Sequence, residues 1–432
     1  MSVHPLAQSL NDTLRNGNSI AYTLLSDRGR GIYFPSKGIL GQSAEARGKE
    51  INATIGTALE DDGSPLTLGC LEEMVEAPKS AFLYAPSFGN PELRAKWKQM
   101  LVQKNPSLVE KAFSTPVVSA ALTHALSVSG YLFANPGDEI ILPDLYWDNY
   151  ELLFQQGYGA SFKLHNTFKE HGYDIDALAA VLTDGGIGKK IVLLNFPNNP
   201  TGYTLTDAEA QSIVTTLIAA ADAGNKLLVL LDDAYFGLVY KDGITRQSLF
   251  SALCNAHENI LAVKMDGPTK EDYVWGFRVG FMTFGFKGAT EEQYKALEAK
   301  AAGTVRGTLS NVPNISQSLL LAAYNKDVYA SQKADKFNTL KTRYEKIVDI
   351  LNTHSEYEES FVAMPFNSGY FMCVRLKGAD PEKVRTLLLE KYSTGVIVLA
   401  GLIRLAFSAV PYDKLDALFQ NLHSAVQEVV AK

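Results

Sequence analysis

Residues 190–235 read KIVLLNFPNNPTGYTLTDAEAQSIVTTLIAAADAGNKLLVLLDDAY. The stretch opens on an unbroken apolar run, Lys190–Pro197, and closes on another, Lys226–Asp233. Runs this short without polar alternation are what strands buried on both faces look like. The segment between them has a helical pattern. Thr206 is a candidate N-cap, Glu209 three residues on completes a capping box, and Gly224 is the expected stop. Strand, helix, strand in about forty residues is a crossover unit, so the two strands are expected to run parallel.

Outward from this unit the same apolar character recurs at Glu139–Pro143, Ile260–Met265 and Val279–Phe284. All five runs read as parallel strands of one open α/β sheet covered by helices on both faces. In such sheets ligands sit beyond the carboxyl ends of the strands. The C-terminal region differs. Helical patterns cover Gln317–Asn325, Ala334–Asn352 and Pro381–Tyr392, a strand candidate covers Tyr370–Leu376, and a last helix follows Tyr412. This reads as a smaller α+β domain. The expected division is an arm and part of the small domain over 1–65, a large domain over 66–307, and the small domain over 308–432.

Composition narrows the function. Of 432 residues, 46% are hydrophobic and 20% charged, and the formal net charge is −7. A mildly acidic chain without runs of like charge is a poor match to nucleic acid or anionic membrane surfaces. Neither a signal peptide nor a run of about 18 apolar residues is present, so no membrane span is expected and the location reads as cytoplasmic. Cys70, Cys254 and Cys373 form no CxxC pair and no metal-ligand spacing. Buried, inert thiols in a reducing compartment are the expectation, with no metal site.

Four motifs follow one another, each where a strand is expected to give way to a loop. They are Asn199-Pro200-Thr201-Gly202, Asp232-Asp233-Ala234-Tyr235, Lys270 with Arg278 eight residues on inside GFRVG, and Arg404 in IRLAFS. Each alone is a turn, a cap or a surface charge. In this order the chain resembles the fold-type I enzymes dependent on pyridoxal 5′-phosphate (PLP), and among them the class I aminotransferases, with aspartate and aromatic amino acid aminotransferases most similar. The resemblance spans about Ile51 to Ser408. It includes Ile51–Gly56, Tyr84-Ala85-Pro86, Ala121–Leu126, Trp147-Asp148-Asn149 and Arg306–Asn311. It implies a large domain with a mostly parallel seven-stranded sheet between helices, a smaller α+β domain and a homodimer.

The resemblance also implies roles. Lys270 would carry PLP as a Schiff base and act as proton carrier. A lysine amine in a dry pocket is a competent nucleophile and base. Lys264 is the rival, but no GxRxG follows it at the family spacing. Asp232 would hold the proton on the pyridine nitrogen, with Asp233 as the alternative. Asn199 and Tyr235 would bond the phenolic oxygen. Ala121, Leu122 and Thr123 at a helix start, with Thr269 and Arg278, would bind the phosphate. Tyr84 would reach that phosphate from the neighbouring subunit, and Trp147 would stack on the ring. Arg404 would clamp the substrate α-carboxylate, and Asn199 and Gly56 would line the substrate position. Arg306 would read a side-chain carboxylate across the dimer interface.

Two features depart from the family. Gly267 stands three residues before the lysine where a serine is usual, with Thr269 as the candidate replacement. The spacer EDYVWGF is also unlike the usual glycine-rich one. The implied activity is amino-group exchange between an L-amino acid (aspartate, glutamate or aromatic) and a 2-oxo acid by a ping-pong route. The alternatives are other chemistry on the same scaffold (a carbon–sulfur lyase, a decarboxylase or a synthase) and a PLP-binding regulator.

Overall fold

The structure is a computed structural model that describes residues 4–15, 38–54, 56–72, 77 and 79–431. Ile55 of the INATIG segment, and residues 1–3 and 16–37 of the expected N-terminal arm, lie outside the described residues.

Seven strands form the main sheet: β1 (Val117–Ser119), β2 (Glu139–Pro143), β3 (Ser161–His165), β4 (Lys189–Asn195), β5 (Lys226–Asp232), β6 (Ile260–Asp266) and β7 (Gly280–Gly285). Their order is β1-β7-β6-β5-β4-β2-β3. Alternate residues of β4 and β5 enter opposite cores. Val192, Leu194, Val229 and Leu231 pack on one face, and Ile191, Leu193, Leu228 and Leu230 on the other. Double-sided burial is why these strands carry no polar alternation.

The helices α1 (Pro91–Lys104), α2 (Ala121–Phe133), α3 (Asp207–Asp222) and α4 (Glu291–Thr308) cover the sheet. Trp97 of α1 and Leu217 of α3 enter the first core, and Leu126 of α2 and Ala301 of α4 the second. The capping box at the start of α3 forms as read, with Thr206 and Glu209 bonded reciprocally. Gly224 follows the helix in the left-handed region, at φ +101°.

One strand departs from the expectation. Strand β7, the run Val279–Phe284, pairs antiparallel with both β1 and β6, whereas β2 to β6 pair parallel. Only residues 267–279 join β6 to β7, and they hold two short helical turns rather than a helix that could recross the sheet. The chain therefore doubles back.

Beyond the sheet, α5 (Asn314–Tyr324) packs on α1, and α6 (Tyr329–Thr353) carries the chain onward. A four-stranded antiparallel sheet follows, made of β8 (Phe361–Ala363), β9 (Met372–Leu376), β10 (Ile397–Leu399) and β11 (Leu402–Leu405) in the order β8-β9-β11-β10. Helices α7 (Pro381–Lys391) and α8 (Leu415–Val430) back it, with Val384, Leu418 and Leu422 in its core. Ile51–Asn52 pairs with Thr394–Gly395, so residues near the N-terminus join this sheet region. Among the described residues, no helix is long and apolar enough to cross a membrane.

Candidate active site

The carboxyl ends of β4, β5 and β6 deliver Asn195, Asp232 and Asp266 to the same edge of the sheet. A cavity of ≈ 350 Å³ opens there. Its walls hold Gly56, Ala121, Leu122, Thr123, Trp147, Asn199, Asp232, Tyr235, Thr269, Lys270, Arg278 and Arg404. These residues are far apart in sequence and come from several different strands and the segments that follow them.

Asp232 ends β5 with its carboxylate facing the cavity. Tyr150 donates a 2.5 Å hydrogen bond to its Oδ2, and the amide of Ala234 reaches Oδ1 at 3.2 Å. Burial lifts the carboxyl to about 6, against the opposing pull of the Tyr150 hydroxyl and the Lys270 ammonium. Lys270 is perturbed the other way. Burial holds its amine down at about 8, aided by the nearby Arg278 and resisted by Asp232. Its Nζ lies 5.1 Å from the centroid of the Tyr235 ring. A carboxyl and an amine thus face one cavity with their pKa values drawn toward neutrality, a common mark of a reactive site.

The neighbouring acid and lysine take a different part. Side chains alternate along a strand, so Asp233 points away from Asp232 and into the protein. There it pairs with Lys264, which is fully buried and also lies 3.3 Å from Asp266. Trp97 Nε1 holds Asp266 from the other side at 3.0 Å. Lys264 is enclosed by carboxylates and does not line the cavity, whereas Lys270 does. Asp233, the alternative to Asp232, is buried and does not line the cavity.

Arg404 lies in β11, 3% exposed, with its guanidinium 4.3 Å above the Phe371 ring. It donates to Asn199 Oδ1 at 3.1 Å, while its Nε is buried without a partner among the described residues. The Asn199 loop is fixed by its glycine. Gly202 has φ +72°, and a Cβ there would stand 1.9 Å from the Phe371 carbonyl oxygen, so only glycine fits. The amides of Asn367 and Ser368 donate to the Gly202 carbonyl at 3.0 and 2.9 Å, tying the loop beneath Arg404.

The phosphate-side residues meet at the start of α2. Ala121 takes a left-handed conformation, φ +62°, no side chain caps the first turn among the described residues, and Ala121, Leu122 and Thr123 line the cavity. Gly267 packs against this turn. A Cβ at 267 would come 2.9 Å from both Gly280 Cα and the Val279 oxygen, which explains why the usual serine is missing. Thr269, the candidate replacement, lines the cavity, and its buried Oγ1 has no hydrogen-bond partner among the described residues. Unpaired buried donors facing a cavity are what a bound polyanion would satisfy.

A profile for aminotransferase class I and II matches residues 50–422. The chain belongs to that family. Its members depend on PLP, and membership makes this chain a transaminase. A probable aspartate/prephenate aminotransferase of Aquifex aeolicus is 24% identical over 413 residues, covering 91% of this chain and 96% of its own length. The mitochondrial aspartate aminotransferase of Schizosaccharomyces pombe is 23% identical, covering 82% of this chain and 81% of its own. Among solved structures, an aminotransferase from Anaerococcus prevotii superposes with a TM-score of 0.81 at 25% identity, covering 93% of this chain and 98% of that one. The fold-type I architecture expected from the motifs is that of these neighbours.

Two of the expected site residues of this aminotransferase lie outside the cavity. Tyr84 is 90% exposed, and Arg306 lies exposed in α4, donating to Ser310 Oγ at 2.7 Å. Conversely, Ile39, Ser43, Tyr150, Asn195, Trp275 and Phe371 line the cavity without having been singled out. Tyr150 carried a usable signal, a large aromatic three residues after Trp147. Asn195 ends the strand read as Lys190–Pro197, and Ile39, Ser43, Trp275 and Phe371 are brought in by tertiary packing. The three cysteines are buried, and burial pushes the thiols of Cys254 and Cys373 up to about 11 and about 12.

Proposed function

We propose that this chain exchanges an amino group between an L-amino acid and a 2-oxo acid in two half-reactions, with PLP carried on Lys270. The observation behind this reading is that Lys270, Asp232 and Arg404 line one cavity, with the amine lowered and the carboxyl raised. When bound, PLP supplies an electron sink that no side chain provides. Asp232 would hold a proton at the pyridine nitrogen. Asn199 and Tyr235 would donate to the phenolic oxygen. Thr269, Arg278 and the amides of residues 121–123 would bind the phosphate, and Trp147 would lie flat against the ring. The Lys270 amine, neutral above pH about 8, would take the proton from the substrate α-carbon and return it to the cofactor side. Arg404 would bind the α-carboxylate bidentately, which its planar fork permits and a lysine would not. Gly56 and Asn199 would bound the substrate position.

Aspartate, glutamate and aromatic amino acids are the proposed donors. Tyr84 and Arg306 would act across a homodimer in the cytoplasm, the first at the phosphate and the second at a side-chain carboxylate. The division into residues 1–65, 66–307 and 308–432 belongs to the same proposal. The test is Lys270→Ala. The wild-type protein purified with PLP is expected to have a visible absorption band that glutamate discharges, and the variant to have none. A band that survives in the variant refutes the assignment. Half-reactions with aspartate and with phenylalanine, followed by the same band, then rank the donors.

A further inference from the structure

Two acids follow Lys270 directly, and both are buried. Glu271 is 2% and Asp272 0% exposed. They sit at the end of a four-residue helical turn, Pro268–Glu271, too short to be stable by itself. What holds that turn is a cluster from three helices distant in sequence, α1, α5 and α6. Lys104, at the end of α1, reaches Glu271 Oε1 at 2.8 Å. Lys333, in the second turn of α6, bridges both acids, at 2.9 Å from Glu271 Oε2 and 2.7 Å from Asp272 Oδ1. Tyr324 donates to Asp272 Oδ2 at 2.8 Å and Tyr329 to Oδ1 at 2.7 Å. Two carboxylates thus meet two ammonium groups with every carboxylate oxygen bonded. Burial would raise Glu271, but the two lysines keep it well below the ordinary carboxylate range.

Farther along, α6 is fastened to two other segments that lead to the cavity. Arg343 donates to the main-chain oxygens of Ser408 and Leu59, each at 2.6 Å, just past Arg404 and just past Gly56. One helix therefore grips the residues adjoining the cavity's amine and those adjoining its guanidinium.

We propose that Lys333 is a positioning residue for Lys270, acting through Glu271 and Asp272 to fix the distance between the Lys270 amine and the Arg404 carboxylate site. This rests on the reading of Lys270 as the cofactor-bearing lysine. Lys270 has a long flexible stem, and its backbone is otherwise held at its carbonyl oxygen, which accepts from Tyr370 Oη at 2.9 Å and the Tyr273 amide at 3.3 Å. Loosening Glu271 and Asp272 lets the turn rotate about that point. Small misplacements of a reacting group cost rate much more than they cost binding.

The experiment compares Lys333→Met and Lys333→Arg with the wild type in the PLP-loaded protein. Lys333→Met is expected to slow the single-turnover reaction with glutamate roughly tenfold, with glutamate affinity within about twofold, and to change the circular dichroism of the visible band. Lys333→Arg keeps both pairings and restores rate and dichroism. Should Lys333→Met fail to fold, the nearly isosteric Asp272→Asn is expected to give the same split. Variants that lose thermal stability but keep wild-type single-turnover rate and dichroism overturn the proposal. If the wild type has no visible band that Lys270→Ala abolishes, the reading of the site itself fails, and this inference falls with it.

Discussion

Tyr150 donates to Asp232 at the cavity wall. The carboxyl of Asp232 is raised by burial and pulled down by the Tyr150 hydroxyl. Removing the hydroxyl in Tyr150→Phe leaves the carboxyl higher, so the charged form is lost sooner as pH falls. The acid limb of the pH–rate profile should move up by about one unit, and an unchanged limb would place the titrating group elsewhere. Lys270 gives the complementary case in the cofactor-free protein. Its folded pKa, about 8, lies below the ordinary 10.5. The penalty for burying its charge is therefore fully present below pH about 8 and gone above about 10.5. Lys270→Met should stabilise the apoprotein by up to about 3 kcal/mol at pH 6.5, with the difference closing toward pH 10.5 in urea titrations.

At the scale of elements, the Asn199–Gly202 loop and the segment Asn367–Phe371 are mutually dependent. Gly202→Ala adds a Cβ where Phe371 already lies, in a conformation with positive φ, and should lower stability by more than about 2 kcal/mol. Urea unfolding midpoints would measure it. By contrast, Thr206→Ala removes one arm of the capping box on α3 and should cost about 1 kcal/mol. Elements of this kind were legible in the sequence because their signals are local: an apolar run for β4 and β5, a Thr…Glu pair for α3. Strand β1 spans only Val117–Ser119 and offers too few residues for a pattern. The reversed direction of β7 depends on the length and shape of its connection, not on its own residues. The cavity divides in the same way. Asn199, Asp232, Lys270, Arg278 and Arg404 belong to contiguous motifs and could be read, and all line the cavity. Trp275 and Phe371 line it through packing, and the clamp on Glu271 and Asp272 joins residues more than 160 positions apart in sequence through Lys104, which no local spacing records.

For the molecule as a whole, Tyr84 and Arg306 are the residues that one chain does not bring to its own cavity. Exposed Phe82, Leu83 and Tyr84 lie beside α5, where Asn314 Nδ2 donates to the Leu83 carbonyl at 3.1 Å. If Arg306 serves a partner's cavity, two crippled chains should rescue each other. Lys270→Ala supplies an intact Arg306, and Arg306→Ala supplies an intact Lys270. Refolded together, they should recover roughly a quarter of wild-type aspartate turnover, as random pairing yields half hybrids with one complete site each. No recovery on mixing would assign Arg306 to its own chain.

The enclosure of Lys264 has a practical outcome. Two amines stand six residues apart in sequence. One is walled in by Asp233 and Asp266, and the other opens on a cavity with its proton loosely held. An acylating reagent at mild alkaline pH meets a free nucleophile at Lys270 and nothing at Lys264. Peptide mass mapping of the unloaded protein should find the label on the first and none on the second, so the fold sorts chemically identical groups by whom it lets them meet.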